Sequence, residues 1–127
     1  IEVPTDLYVI DGRDDTIKKI GPIVDRSQRR TVTLFGDATT FRNIQTLALA
    51  EGWLFYAHGT FLSKMRTDGT QNQIVIANLP HGEHHLFPVR TGSAPSDLWI
   101  FVYTKDAQGR FSLLKVRQNG MDRLSLH

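Results

Sequence analysis

The sequence predicts an all-β fold, and three observations support that prediction. Aromatic-rich apolar segments recur along the 127 residues with a period of about 45. Each repeated unit contains short β-rich runs separated by turn residues, as antiparallel strands do. The apolar runs do not alternate with polar residues, so both faces of each strand need cover. Small sheets stacked on one another meet these conditions, which predicts β-propeller blades, about three four-stranded antiparallel sheets.

Three kinds of anchor define the repeat. Aromatic anchors stand at Tyr8, Trp53 and Trp99, which are 45 and 46 residues apart. A basic–apolar pair follows each of them, and a turn with a β-rich run follows each pair. The pairs are Lys19-Ile20, Lys64-Met65 and Lys115-Val116, and the turns are Asp25–Gln28, Asp68–Gln71 and Asn119–Asp122. These anchors divide a single propeller-like domain into units at about 1–40, 41–80 and 81–127.

The first unit predicts a strand at Asp6–Ile10, a second around Lys19 and a third at Thr31–Leu34. A polar tip that contains Asp11, Asp14 and Asp15 separates the first two strands. Three clustered carboxylates suggest calcium, but they lack the EF-hand spacing, and a polar turn is favoured. No clear strand precedes Asp6 unless residues 1–3 provide it.

The second unit predicts a first strand at Asn43–Ala50 and an aromatic strand from Gly52 to Tyr56. Ile44, Leu47 and Ala48 also fit one face of a helix. The strand is favoured because the aromatic strand follows Glu51-Gly52 at once, with no room for a helix cap and a loop. Small residues in this strand suit the innermost position of a blade.

The third unit predicts strands at His85–Thr91, Leu98–Val102 and Arg123–Leu126, with another around Lys115. The dipeptides Asp68-Gly69 in unit two and Asn119-Gly120 in unit three are strong hairpin signals. Trp53 and Trp99 are possible ligand-stacking rings, but their apolar neighbours favour core packing.

The segment Ser63–Thr70 resembles the R-x-x-x-D-G-T/S turn of YWTD-type propeller blades, and it is also similar to TolB-type repeats. Tyr103-Thr104-Lys105-Asp106 partly matches the Tyr-Trp-Thr-Asp signature, whereas the first unit has Asp25-Arg26 in place of Asp-Gly. The resemblance implies a rigid binding platform, and it is specific for the blade rather than for a function.

Three blades are too few for a closed propeller, which has about four to eight. Two apolar blade faces therefore remain uncovered, and such faces favour association. We expect a partial propeller that is completed by oligomerisation or by a partner chain, closing a ring of about six blades.

Composition narrows the function classes. The chain has no cysteine, which excludes thiol nucleophiles and cysteine-bearing metal sites. A net charge of +2, from 15 basic and 13 acidic residues, disfavours a nucleic-acid partner. No apolar run is long enough for a membrane span. Because the chain begins at Ile1, we expect a processed product or a fragment. Separately, we favour an extracytoplasmic location, either secreted or in a bacterial envelope.

No catalytic motif is present. The serines lie outside any Gly-x-Ser-x-Gly elbow, and phosphate-binding glycine loops are missing. We therefore expect a protein without enzymatic activity or cofactor that binds a protein partner through interblade loops. A carbohydrate- or small-ligand-binding, lectin-like propeller and one chain of an assembled hydrolase remain alternatives.

Candidate partner-binding residues are aromatic side chains and histidines in or near the interblade loops: Phe41, His81, His84, His85 and Phe87. His81–His85 also resembles a zinc or nickel site, but adjacent histidines in a strand point to opposite faces, so a surface loop is favoured. The candidate loops are Asp11–Thr16, Gly36–Arg42, Leu79–His85 and Gly92–Ser96. The last two are expected at one rim.

Overall fold

The computed structural model describes residues 5–36 and 42–127. Within them the chain forms strands and one 3-10 turn at Pro95–Asp97, and no α-helix. The strands form three antiparallel sheets, ordered β1-β2-β3, β4-β5-β6-β7 and β11-β10-β9-β8. The all-β prediction is confirmed. The strands are β1 Leu7–Asp11, β2 Thr16–Gly21, β3 Arg30–Phe35, β4 Ile44–Ala50, β5 Trp53–His58, β6 Phe61–Arg66, β7 Gln73–Ile76, β8 Glu83–Arg90, β9 Leu98–Lys105, β10 Phe111–Arg117 and β11 Leu124–Ser125.

The chain divides into two compact units, Ile1–Ile44 and Gln45–His127. The first contains the sheet β1–β3, whose hairpin tip, residues 12–15, carries the predicted acidic cluster. Asp15 accepts the backbone N–H groups of Asn43 and Ile44 at 3.0 Å each. Burial alone would raise the pKa of Asp15, but hydrogen bonds from three backbone N–H groups hold it below its usual range.

The other two tip carboxylates are also engaged. Lys18 Nζ lies 2.8 Å from Asp11 Oδ2 and 2.6 Å from Asp14 Oδ2. The cluster therefore behaves as the polar turn that the sequence favours, because a lysine and backbone donors occupy its carboxylates.

The second unit packs two four-stranded sheets on each other. β4 is a strand, as predicted, and it forms one edge of the sheet β4–β7. One face of β5 and β6 contributes Phe55, Ala57 and Leu62 to the core between the sheets. The facing sheet contributes Leu86, Leu98, Ile100, Val102, Leu114 and Val116 to it.

The opposite face of β5 and β6 is buried as well. Leu54, Tyr56 and Met65 point away from that core and have almost no solvent exposure. Burial raises the pKa of Tyr56 to about 12, and its hydroxyl donates to Asn72 Oδ1 at 2.5 Å. The two-sided burial expected of a blade therefore holds for this sheet.

Hairpin pairing corrects the alignment of the aromatic anchors. Lys19 pairs with Tyr8, whereas Lys64 pairs with Phe55 and Lys115 with Phe101. The tryptophans pair instead with Arg66 and Arg117. Tyr8 is therefore equivalent to the two phenylalanines, and the position equivalent to the tryptophans is occupied by Asp6.

Hairpin length explains the error. Four residues join β1 to β2, whereas two join β5 to β6. The spacing from Tyr8 to Lys19 equals that from Trp53 to Lys64, so the sequence does not reveal the longer hairpin. The two extra hairpin residues place Tyr8 two positions further along its strand than Trp53. The third strand supports the corrected alignment, because register shifts fall at Ile17/Lys18 and at Leu62/Ser63. Both lie just before the equivalent lysine.

The turns that close the repeat share one geometry. Gly69 N–H donates to Arg66 O at 2.9 Å, and Gly120 N–H donates to Arg117 O at 2.8 Å. Asp68 Oδ1 accepts the Thr70 N–H, and Asn119 Oδ1 accepts the Met121 N–H, both at 3.0 Å. An Asp or Asn with a following glycine in the left-handed region suits this turn, which is why the sequence signal is strong here.

We expect Phe55→Ala to lower the free energy of unfolding by about 3–5 kcal/mol, because it leaves a cavity at a fully buried site. Phe61→Ala is the matched control, since this ring is exposed at the start of β6, and its cost should stay below about 1 kcal/mol. Urea denaturation followed by tryptophan fluorescence measures both. Equal costs would contradict the assigned core.

Candidate functional site

The third sheet, β8–β11, has one covered and one open face. Leu98, Ile100 and Val102 point into the core, while Trp99, Phe101 and Tyr103 alternate with them and are half-buried. The residues of β8 and β10 that pair with these three residues lie on the same open side of the sheet. We call this side the Trp99 face, and it carries Phe87, Val89, Trp99, Phe101, Tyr103 and Lys115.

An aromatic row crosses the Trp99 face near the hairpin tip. The ring centroid of Tyr103 lies 5.9 Å from that of His85 and 5.6 Å from that of Phe111. The Phe111 ring is stacked on His127 at 4.5 Å. Phe87 and Phe111 are 53% and 48% exposed. Offset aromatic contacts of this kind stabilise the row, which leaves an apolar surface open to solvent.

A second cluster lies at the other end of the Trp99 face. Lys115 Nζ is 4.5 Å and Arg117 Cζ 4.2 Å from the centre of the Trp99 ring. Arg117 is held in place by Asp122 Oδ2 at 2.7 Å and by the carbonyl of Ser96 at 2.8 Å. The ring is therefore half-buried beneath two cations, whereas the sequence predicted that it packs in the core.

The second sheet repeats this cluster. Lys64 Nζ lies 4.3 Å and Arg66 Cζ 3.8 Å from the centre of the Trp53 ring. Here the facing sheet covers the cluster, Lys64 is 6% exposed, and its amine donates to Gln118 Oε1 at 3.5 Å. Burial and the charge of Arg66 lower the pKa of Lys64. Cation–π contact is more favourable in such a desolvated place.

The loops that flank β8 lie at opposite rims, which corrects the expectation that they crowd one rim. Leu79–His85 leads into the first residue of β8, and Gly92–Ser96 follows its last. Eight residues of strand separate them by about 25 Å. The His81 rim is formed by residues 79–82 and the β9–β10 tip, residues 106–110.

The opposite rim is firmly braced. Arg90 Nε donates to Glu51 Oε2 at 2.6 Å, and its Nη1 donates to the carbonyls of Gly92 and Ala94 at 2.7 and 2.8 Å. Asp97 Oδ2 accepts the N–H of Ala94 at 3.1 Å. These contacts hold residues 90–97 in one conformation without any core residue in the loop.

His84 is a buried side chain rather than a surface one. It is 1% exposed, its Nδ1 lies 2.9 Å from Gln45 Oε1, and its Nε2 lies 2.7 Å from the carbonyl of Pro80. Burial lowers the pKa of His84, although the hydrogen bond to Pro80 acts in the opposite direction. His84 therefore joins β8 to the start of β4 and to the loop before β8.

The other candidate residues fall in different surroundings. His81 and His85 are exposed, with His85 and Phe87 on the Trp99 face, and Phe41 lies outside the described residues. The loop Gly36–Arg42 also falls mostly outside them. Residues 83–85 are strand rather than surface loop. Among the described residues, no group of three or more His, Asp or Glu side chains is placed to hold a metal ion.

Sequence reasoning missed the cation–Trp cluster and the aromatic row. A usable signal exists in the sequences Lys64-Met65-Arg66 and Lys115-Val116-Arg117. The Lys-x-Arg spacing puts both cations on one face of a strand, and this strand pairs with the one that carries the tryptophan.

Within residues 5–36 and 42–127, no helix has the length and apolar character required to cross a membrane.

Comparison with solved structures agrees with this description. A chain in a crystal structure of a nidogen/laminin complex superposes on this one with a TM-score of 0.71 and 13% sequence identity. The match covers 98% of this chain and 44% of that chain. In its fold the chain resembles the blades of a YWTD-type propeller. It spans less than half the length of its structural neighbour. No protein-family model and no curated protein sequence matches it.

His84 should make stability depend on pH. Because its pKa is lower in the folded chain than in the unfolded one, its contribution is present above about pH 6.5 and falls as the pH drops below that value. Wild type should lose more unfolding free energy between about pH 7.5 and pH 5.5 than His84→Gln does. His81→Gln, at an exposed position, should keep the wild-type slope. Parallel slopes for wild type and His84→Gln would refute this role.

Gly82 lets the His81 rim lie close to β9. A Cβ at this position would stand 2.3 Å from the carbonyl oxygen of Lys105, and the φ of Gly82 is +143°. Gly82→Ala should therefore lower the melting temperature more than Gly109→Ala. Gly109 also has a positive φ, but no atom stands within 4 Å of its Cβ position. Equal shifts in a thermal melt would show that the close approach is not needed.

Proposed function

We propose that the chain is a non-catalytic protein-binding module of β-propeller type, which contacts its partner through loops at the His81 rim. Copies of the chain or a partner chain supply the remaining blades of a ring of about six. The observation that supports the proposal best is the exposed His81, together with Arg110, at a rim whose tip is ordered by its own hydrogen bonds.

The surroundings of this rim suit a protein partner. The tip Asp106–Arg110 is ordered by its own contacts, since Asp106 Oδ1 accepts the N–H groups of Gln108 and Arg110 at 2.9 Å each. Arg110 and His81 remain exposed there. Exposed polar groups on a rigid loop can supply the hydrogen bonds and ion pairs of a protein interface. The structural neighbour with this fold comes from a complex of two proteins.

Two of the buried polar side chains have structural partners. Lys64 faces a glutamine and a tryptophan, and His84 faces a glutamine and a backbone carbonyl. Both side chains hold sheets and loops together, which a rigid platform requires.

An array of purified proteins, probed with the labelled chain, tests this function. A protein that binds wild type should bind His81→Glu at least about tenfold more weakly, as expected for a contact near the centre of an interface. Ser93→Glu, an exposed substitution at the opposite rim, is the matched control and should bind normally.

Three results would contradict the proposal. Loss of binding by Ser93→Glu alone would put the contact at the other rim. The absence of any saturable binding would contradict a protein-binding role. Turnover in a broad hydrolase screen, mapped to a residue of either rim, would show that the module is catalytic.

A further inference from the structure

We propose that the Trp99 face docks onto the sheet β1–β3 of a second copy of this chain, head to tail. The inference rests on the proposed propeller function and identifies the surface by which copies complete the ring. It follows from an interface that the chain already forms once between β4–β7 and β8–β11.

The formed interface shows what covers a face of this kind. On the second sheet, Trp53, Phe55 and Lys64 are packed against the third sheet, and Phe55 and Leu62 are fully buried. The Trp99 face repeats these residues as Trp99, Phe101 and Lys115 at matching positions of its own hairpin. Because the side chains are equivalent, we expect the Trp99 face to pack against an equivalent surface, which is another blade.

The chain also carries the second half of this interface. The third sheet covers its neighbour with Ile100, Val102 and Val116, which pair across β9 and β10. When the anchor lysines are aligned, the equivalent residues of the first sheet are Leu7, Val9 and Ile20. Leu7 is 48% exposed, and Val9 and Ile20 are partly exposed.

Side-chain size favours the first sheet as the occupant. The inner strand of the second sheet packs small residues, Ala48 and Ala50, against the core, whereas β8 presents Phe87 and Val89 on the open face. Among the described residues, the first sheet has three strands, with none beyond β1. A sheet that is one strand narrower leaves room for bulky side chains opposite the missing strand.

The area is adequate for a stable pair. A sheet of four strands with seven residues each covers about 400 Å² in projection. In a closed pair, each copy contributes its Trp99 face once and its first sheet once. The two contacts together approach the area of about 800 Å² per partner that is typical of specific interfaces.

Sedimentation velocity on the purified chain at micromolar concentrations tests the proposal. Wild type should sediment as a species of twice 14.4 kDa. Phe87→Lys on the Trp99 face and Leu7→Lys on the first sheet should each shift the chain to a monomer. Ile74→Lys is the matched control, because Ile74 is a strand residue that is 59% exposed outside both faces. Far-ultraviolet circular dichroism verifies that each variant is folded.

A mixing experiment fixes the orientation. An equimolar mixture of Phe87→Lys and Leu7→Lys should form dimers at lower concentrations than either variant alone, because only the mixed pair retains one intact contact. If Phe87→Lys abolishes the dimer but Leu7→Lys does not, two Trp99 faces contact each other, and the head-to-tail proposal is wrong. A monomeric wild type, or a mass that keeps growing with concentration, overturns the closed pair. None of these outcomes depends on His81, so the rim-binding function is tested separately.

Discussion

A sheet with two apolar faces needs a neighbour on both sides, and this requirement governs the architecture of the chain. Apolar surface removed from water contributes about 25 cal/mol per Å² to stability, so one uncovered blade face forgoes a large part of the stabilisation available to it. The second sheet meets the requirement fully, since Leu54 and Phe55 are both buried although they point to opposite faces. Among the described residues, the third sheet is covered on one face only.

Lysine and arginine side chains lie over tryptophan rings on the faces of the second and third sheets. A buried amine is costly unless its charge is compensated, and here a tryptophan ring and a glutamine oxygen surround Lys64. In the first sheet, a carboxylate compensates the charge of the equivalent lysine. Asp6 occupies the tryptophan position, and its Oδ2 lies 3.7 Å from Lys19 Nζ. An ion pair therefore replaces the cation–π contact at one repeat. The basic residue is the shared element, and its compensating partner varies.

The elements of the fold could be read from the sequence because each depends on local chemistry. Turn residues such as Asp68-Gly69 and Asn119-Gly120 mark hairpins through their backbone preferences, and two-sided apolar runs mark buried strands. Hairpin register could not be read, because the loop length between β1 and β2 changes the pairing without changing the spacing of the anchors. The burial of His84 was also hidden, since alternation shows that His84 and His85 face opposite ways but not which face is covered.

Which surface of this chain is exposed is therefore a question about neighbours rather than about residue type. Phe55 and Phe101 are identical residues at equivalent positions, yet one is fully buried and the other only half-buried. The difference comes from the third sheet, which covers the first residue and has no sheet over the second within the described chain. The cation–Trp cluster occurs in both settings, because Lys64 is buried and bonded to Gln118 over Trp53, whereas Lys115 and Arg117 lie over the half-buried Trp99. The same cluster therefore occurs both beneath a covering sheet and, within the described residues, on a face without one.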